Sequence, residues 1–157
     1  MLKIHIITVG SLKEKYLRDA VAEYQKRLSR FAAVKVTELS EAYLPQNPAP
    51  ADIEKALDKE ADAILRQLAG GIRIALCVEG KQRSSERFAE LIQSGEMSGG
   101  IDLVIGSSYG LSERVKQGCN YRLSFSEMTF PHQLMRVMLL EQLYRAFKIN
   151  HNESYHK

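Results

Sequence analysis

The stretch SFSEMTFPHQLMRVMLLEQLYRAFKINHNESYHK, residues 124–157, decides the fold prediction for this chain. It starts within the segment from Tyr121 to Phe125, which is predicted to be a strand. Loop residues follow, and Pro131 then suits the first turn of a long helix predicted from Pro131 to Ile149. The free N–H groups at the start of such a helix favour an anionic group, such as the carboxylate of a ligand. The sequence therefore predicts a strand, a ligand loop and a long helix in direct succession.

The predicted C-terminal helix is apolar over much of its circumference, more than one sheet face could bury. Glu141, Arg145 and Lys148 form one polar stripe, and His132 with Arg136 lies roughly opposite. This pattern predicts packing against the sheet and also against a partner subunit, and a homodimer is the economical arrangement. A helix buried wholly in the core of one subunit is the alternative. The apolar positions are Leu134, Val137, Met138, Leu140, Leu143, Tyr144 and Phe147.

Toward the N-terminus, apolar β-branched runs alternate with segments of helical periodicity. This alternation predicts an α/β fold in which a parallel sheet has helices on both faces. Asp52 is the predicted N-cap of a helix that ends before Gly70 and Gly71, while Ser84 and Ser112 are predicted to cap two shorter helices. We expect one domain over residues 1–157. The predicted elements are strand 3–9, helix 16–28, strand 34–39, helix 53–68, strand 72–78, helix 85–93, strand 101–105, helix 113–117, strand 121–125 and helix 131–149.

The composition is that of a globular protein. Of the 157 residues, 45% are hydrophobic and 26% are charged, and no apolar run approaches the ~18 residues that a membrane span needs. The N-terminus does not resemble a secretory signal, so we expect a cytoplasmic protein. A net charge of +3 does not by itself predict a nucleic-acid partner. Cys77 and Cys119 have no CxxC partner, which predicts two reduced thiols and neither a metal site nor a disulfide framework.

Three predicted loops follow strands, at the edge where parallel sheets bind ligands. They are Glu79 to Lys81, Gly106 to Gly110 and Ser126 to Phe130. The chain has no G-x-x-x-x-G-K-[ST] motif, and a single glycine follows its first strand. Neither a P-loop nor a Rossmann dinucleotide site is therefore predicted.

The segment Gly106-Ser107-Ser108-Tyr109-Gly110 matches G-x-S-x-G, the nucleophile elbow of hydrolases. Glu127 and His132 follow in the order acid then histidine, so a serine esterase is one alternative. The elbow requires a helix that begins almost at the serine, whereas Ser112 is the predicted cap of the next helix. A flexible glycine turn is a second alternative. The preferred interpretation is a ligand loop, in which Gly106 and Gly110 let the backbone approach a bound molecule.

An ordered set of short motifs extends over essentially the whole chain. The motifs are Val9-Gly10, Leu12 to Tyr16, Ile105-Gly106, Gly110-Leu111, Leu123 to Ser126, Met128 to His132, Arg136, Glu141 to Ala146 and Tyr155 to Lys157. This ordered set resembles the bacterial RlmH family, whose members are SPOUT-class enzymes that methylate N3 of a pseudouridine in large-subunit ribosomal RNA. Ser107 stands where family members usually have a second glycine, which bears on how closely the backbone can approach a ligand there.

The resemblance implies a trefoil knot formed by the C-terminal third of the chain. It also implies a homodimer that binds S-adenosylmethionine beside a site shared by two subunits, with ribosomal RNA, on the assembled ribosome, as the partner. Carried over residue by residue, the implied cofactor contacts are Leu76, Gly106, Phe125, Ser126, Glu127, Met128, Thr129 and Phe130.

Methyl transfer from a sulfonium to an imide nitrogen is an in-line displacement, so the protein chiefly holds donor and acceptor aligned while the N3 proton leaves, and no metal is needed. His132 is the candidate general base or hydrogen-bonding group, with simple packing at the helix start as its alternative. Arg136 is a candidate for contacting a phosphate or a base edge, or is otherwise a solvated charge. Tyr155 and His156 are candidates because the resemblance implies that the tail closes over the active site. A ribosome-binding module without catalytic activity is a further alternative.

Overall fold

The computed structural model describes residues 1–69 and 71–157, and Gly70 lies outside the described residues. Within these ranges, strands and helices alternate along the chain as predicted. A short 3-10 turn, Gly95–Met97, follows the third helix. The elements are β1 (Leu2–Val9), α1 (Lys15–Leu28), β2 (Ala32–Leu39), α2 (Pro50–Gln67), β3 (Ile72–Gln82), α3 (Ser85–Ser94), β4 (Ile101–Ile105), α4 (Glu113–Gln117), β5 (Tyr121–Ser124) and α5 (His132–Asn150).

The strands form one parallel sheet in the order β2-β1-β4-β3-β5. β1 pairs with β2 along its whole length and with β4 from Ile4 to Thr8. Every residue of β4 is buried, because a central strand of a parallel sheet is covered on both faces. The predicted α/β class with a parallel sheet is confirmed.

Side chains of β1 show how the sheet separates two apolar cores. Ile4 and Ile6 belong to a large core shared with α1, α3 and α5. Ile7 and Val9 belong to a smaller core shared with α2 and α4. Successive residues of a strand point to opposite faces, so the helices lie on both sides of the sheet, as predicted.

The end of β3 differs from the prediction. The strand continues to Gln82, and both Leu76 and Lys81 pair with Leu123 of β5, so the residues between them bulge out of register. A Cβ atom at Gly80 would lie 2.7 Å from the carbonyl carbon of Arg122. The absence of that atom lets the strand return to its neighbour after the bulge. The predicted loop from Glu79 to Lys81 is therefore part of β3, and of these residues Glu79 lines the cleft described below.

The ends of the helices confirm two predicted caps and correct one. The hydroxyls of Ser84 and Ser112 accept hydrogen bonds from the first turns of α3 and α4. Asp52 is not the N-cap of α2, because Pro50 starts the helix earlier and fits its first turn. The Asp52 carboxylate instead accepts a hydrogen bond of 2.9 Å from the N–H of Ala49. The predicted stop at Gly70 falls outside the described residues, and α2 ends at Gln67.

The long helix α5 is buried on one side only. Leu139, Leu140 and Leu143 are completely buried against the sheet, whereas Leu134 is 38% exposed and Met138 is half-buried. The alternative of a helix wholly enclosed in one subunit is wrong, because the side of α5 that carries Leu134 and Met138 reaches the surface. Across the described ranges, no helix is long and apolar enough to cross a membrane.

Candidate functional site

A large cleft opens beside the bulge of β3, at the edge of the sheet where β4 and β5 end. Its volume is about 800 Å³, and it is lined mainly by the segments that follow these strands. Seven of the eight predicted cofactor contacts line this cleft, whereas Glu127 is exposed and does not line it. The residues named from the sequence that line the cleft are Leu76, Gly106, Phe125, Ser126, Met128, Thr129, Phe130 and His132.

The segment between β5 and α5 forms one wall of the cleft and is shaped by its own side chains. The Ser124 hydroxyl donates to the Ser126 carbonyl at 2.9 Å, and the Ser126 hydroxyl accepts from the Met128 N–H at 3.0 Å. Such local bonds from serine fix a turn that the backbone alone would not. Pro131 then serves as the N-cap of α5, so His132 enters the first helical turn beside the cleft.

The loop from Gly106 to Gly110 forms the opposite wall. Gly110 has a φ of +85°, and its N–H donates to the Ser107 carbonyl at 2.9 Å. A Cβ atom at Gly106 would lie 2.3 Å from the Gly110 carbonyl oxygen, so only glycine permits this tight return. Helix α4 begins at Glu113, well beyond Ser108. The strand, turn and helix of a nucleophile elbow are therefore not formed, and the esterase alternative gains no support.

A second cavity, the polar cavity, adjoins the cleft at Ser108 and His132, which line both spaces. Its volume is about 540 Å³. The His132 Nε2 atom lies 3.7 Å from Oε1 of Glu41, whose side chain is about half exposed. The residues lining the polar cavity are Gly10, Ser11, Lys13, Glu38, Leu39, Ser40, Glu41, Ser108, His132 and Gln133.

Arg136 lies beneath this region and is buried, with 3% of its side chain exposed. Its guanidinium donates to Glu38 Oε2 at 2.7 Å, to the Thr8 hydroxyl at 3.3 Å and to the Gly10 carbonyl at 3.2 Å. The alternative of a solvated surface charge is wrong, because the guanidinium is buried and forms its hydrogen bonds with protein groups. Contact with a substrate phosphate or base edge stays a prediction, and in this structure its donors face other residues.

Tyr155 and His156 do not line the cleft or the polar cavity. The Tyr155 hydroxyl donates to Glu141 at 2.6 Å. His156 bonds to Glu86 at 2.7 Å and to Arg145 at 3.2 Å. The hydrogen bond to the Glu141 carboxylate is the main reason that the pKa of Tyr155 rises to about 12. The structure therefore holds the tail against α3 and α5 of its own chain.

A third, smaller cavity of about 300 Å³, the side cavity, lies between the tail and the cleft. Leu123 and Phe125 line both the side cavity and the cleft. Glu141, the partner of Tyr155, also lines the side cavity. The tail is thus near the cleft without reaching into it.

The acidic groups in and beside the polar cavity were not predicted from the sequence. Glu60 is buried on α2 and accepts a hydrogen bond of 2.9 Å from the N–H of Ala42. Burial raises the pKa of Glu60, while hydrogen bonds from Ala42 and from the Ser107 hydroxyl oppose that rise. One signal was present, because Glu60 lies four residues from buried Ala56 and from buried Ile64, within an apolar helical stripe. The sequence gives no such signal for Glu38 and Glu41, because charged residues are common near the ends of strands and in the loops that follow them.

The comparison with protein families decides which class of protein this is. The profile described as "Predicted SPOUT methyltransferase" matches residues 2–156. The chain belongs to the SPOUT methyltransferase family. For a SPOUT methyltransferase, the cleft beside the β3 bulge and the ends of β4 and β5 becomes the first place to look for the methyl donor.

Relatives of this SPOUT methyltransferase align over nearly its whole length. It is 51% identical to the ribosomal RNA large subunit methyltransferase H of Clostridium novyi, over 99% of this chain and 100% of the relative. It is 50% identical to the protein of the same name from Pelotomaculum thermopropionicum, over 99% of each chain. Among solved structures, a probable methyltransferase from Bordetella pertussis superposes with a TM-score of 0.53 at 12% identity, over 92% of this chain and 96% of that one. This last likeness concerns the fold alone.

Proposed function

We propose that this SPOUT methyltransferase transfers a methyl group from S-adenosylmethionine to N3 of a pseudouridine in large-subunit ribosomal RNA. The observation that carries the proposal is the cleft, together with relatives that share half of the sequence and are named for ribosomal RNA methylation. The assembled ribosome is the proposed substrate, which places the protein in the cytoplasm. The net charge of +3 is small for binding free RNA through phosphates alone, so shape recognition on the ribosome fits better.

The residues present fit S-adenosylmethionine. A cleft of about 800 Å³ lies within the range of small-molecule sites, and its walls are mostly apolar with a few polar groups, as such sites require. When bound, the cofactor supplies an electrophilic methyl group on a sulfonium. Leu76, Gly106 and the segment from Phe125 to Phe130 would hold it, with Glu127 at the rim because its side chain is exposed. The bend of the backbone at Gly106 would admit the cofactor close to the main chain.

Two features of assembly belong to the same proposal. The C-terminal third, comprising the loop after β4, β5 and α5, forms the trefoil knot that the family resemblance implies. The outward side of α5, where Leu134 and Met138 lie on the same face as the ion pair of Glu141 and Arg145, packs against the same side of a second subunit in a homodimer. In a two-fold dimer one surface pairs with itself, so the acidic and basic groups of this face can pair across the axis.

The proposed roles of the predicted catalytic residues follow from their places. His132 lines both the cleft and the polar cavity, so it stands between the methyl donor and a neighbouring acceptor. Arg136 acts as a positioning residue, because its buried guanidinium joins α5 to Thr8, Gly10 and Glu38. Tyr155 and His156 complete a substrate site across the dimer, since neither reaches the cleft of its own chain.

Methyl transfer tests the proposal. Ribosomes from cells that lack the modification are incubated with the protein and S-adenosylmethionine labelled in its methyl group. Label should enter large-subunit RNA, and ribosomes that already carry the modification should take up none. Calorimetry should detect cofactor binding near one site per chain. A protein that binds ribosomes but not the cofactor is the non-catalytic module, and labelling of Ser108 by a fluorophosphonate would instead favour the esterase.

A further inference from the structure

The cavities that adjoin the cleft indicate where the acceptor base can bind. In-line transfer requires the reacting atoms to be about 3–3.5 Å apart, so the base must lie in a space that opens on the cleft. The polar cavity adjoins the cleft through Ser108 and His132. The side cavity adjoins it through Leu123 and Phe125.

The side cavity is the poorer site for a base. It measures about 300 Å³, compared with about 540 Å³ for the polar cavity. Its polar groups are also occupied. Glu141 accepts hydrogen bonds from Tyr155 and Arg145, and the Gln142 oxygen accepts from the Ser85 hydroxyl. A bound base would have to break these bonds before it could form its own.

The acidic groups of the polar cavity differ in whether their carboxylate oxygens can accept a further hydrogen bond. Glu38 is paired with buried Arg136 at 2.7 Å. Glu41 lies 3.7 Å from His132 Nε2, which is too far for a hydrogen bond, so its oxygen can accept another donor. Lys13 lies on the wall of the same cavity. Glu60 fixes the adjacent N–H of Ala42 and so holds the segment that carries Glu41.

A uracil-type imide requires one acceptor flanked by donors, because its N3–H lies between two carbonyl oxygens. The polar cavity has residues of both kinds on its wall. Glu41 is the acceptor, and the ammonium of Lys13 and the amide NH₂ of Gln133 are donors on its wall. The Gln133 oxygen already accepts from the N–H of Lys13 at 3.1 Å, which leaves its NH₂ for a ligand. Lys13 would also stabilise the negative charge that develops on the carbonyl oxygens.

We infer that the polar cavity binds the acceptor base and that Glu41 is the catalytic group that takes its N3 proton; this inference rests on the proposed function. The N3–H bond breaks and the proton passes to the Glu41 carboxylate. The electron pair on N3 forms the bond to the methyl carbon, while the carbon–sulfur bond breaks and its electrons stay on sulfur. The positive charge of the sulfonium is lost in the same step in which the proton neutralises the Glu41 carboxylate. His132 holds the base between the two spaces.

Gly10 provides independent support, because it leaves the space that this arrangement needs. Its φ is +96°, and a Cβ atom there would lie 3.0 Å from Glu41 Oε1 and 3.4 Å from His132 Nε2. A side chain at this position would therefore crowd both groups. The glycine that directly follows β1 keeps the entrance to the Glu41 carboxylate open.

The test is Glu41→Gln, which keeps the shape of the side chain and removes its ability to take a proton. Single-turnover methylation at saturating cofactor and ribosome concentrations should fall by about 100-fold, the scale of general base catalysis. Cofactor affinity by calorimetry and ribosome affinity by sedimentation should each stay within about twofold, because Glu41 does not line the cleft and its uncharged replacement does not repel RNA. Glu41→Asp should recover part of the rate.

Glu54→Gln is the matched control, because it removes one carboxylate from the exposed side of α2. It should leave the rate unchanged. A Glu41→Gln protein that methylates at the wild-type rate, or that is slow only because its cofactor affinity has fallen, would overturn the inference. Such results leave the proposed function intact. Failure of the wild-type protein to methylate ribosomes overturns the proposed function itself.

Discussion

Arg136 Nη1 lies 2.7 Å from Glu38 Oε2, and this ion pair joins α5 to the end of β2 across 98 residues of sequence. The second guanidinium nitrogen donates to the side chain of Thr8 and to the main chain of Gly10. Among the described residues, the Arg136 Nε atom has no hydrogen-bond partner. A buried guanidinium depends strongly on the carboxylate that pairs with its charge.

Glu38→Gln should therefore lower the free energy of unfolding. We expect a loss of about 1–2 kcal/mol, because the amide can still accept a hydrogen bond and Glu38 is partly exposed, which screens its charge. Urea denaturation at pH 7 measures the change. Glu54→Gln serves as the control and should stay within about 0.5 kcal/mol of the wild type. Equal losses in the two variants would mean that the ion pair contributes nothing to stability.

Gly10→Ala and Gly99→Ala form a matched pair. Both glycines have positive φ, +96° and +85°, so each alanine should cost about 1–2 kcal/mol of stability through backbone strain. A Cβ atom at Gly99 meets nothing within 4 Å, whereas one at Gly10 meets Glu41 and His132. Methylation should therefore fall at least about tenfold in Gly10→Ala alone, a barrier increase of roughly 1.4 kcal/mol. Similar methylation rates in the two variants, measured at a saturating ribosome concentration, would mean that Gly10 has no influence on methyl transfer.

The two cysteines allow cofactor binding in the cleft to be tested with an internal control. Cys77 lines the cleft and Cys119 does not. Burial raises the pKa of Cys77, and it raises the pKa of Cys119 to about 11, so both thiols should react slowly with a maleimide at pH 8. S-adenosylmethionine at ten times its dissociation constant should slow labelling of Cys77 by about tenfold and leave Cys119 unchanged. Peptide mass spectrometry gives both rates. If the cofactor protects neither thiol, it binds outside the cleft.

Tyr155 predicts a pH dependence of stability in the alkaline range. Its pKa rises from 10.0 to about 12 in the folded protein, chiefly through the hydrogen bond to Glu141. A raised pKa stabilises the fold below the unfolded value, and that contribution is lost as the pH rises from about 10 to 12. Tyr155→Phe should lack this component, so the difference in melting temperature between the two proteins should shrink across that range. A constant difference would mean that the Glu141 bond does not form in solution.

The order of strands and helices followed from the sequence because each element has its own hydrophobic period. The ends of β4 and α4 fall where Ile101 to Ile105 and Glu113 to Gln117 predicted them. The bulge in β3 could not be predicted in this way, since it depends on the close approach of Gly80 to Arg122. Sequence periodicity contains no information on which backbone lies beside a glycine.

The candidate site was predictable where it is local in sequence. The segment from Phe125 to Phe130 lies between a strand and a helix, so its place at the sheet edge follows from the order of elements. Arg136 was harder, because only the fold brings it to Glu38 and Thr8 from the other end of the chain. Glu41 was missed for the same reason, since its neighbour His132 is distant in sequence.

The proposed function depends most directly on the identity of the methylated nucleoside. Ribosomes lacking the modification should be incubated with the protein and S-adenosylmethionine, after which the large-subunit RNA is digested to nucleosides and analysed by mass spectrometry. We predict one new nucleoside, a pseudouridine that carries its added methyl group on N3. Methyl groups on any other nucleoside, or no methylated product from a protein that binds the cofactor, would contradict the account.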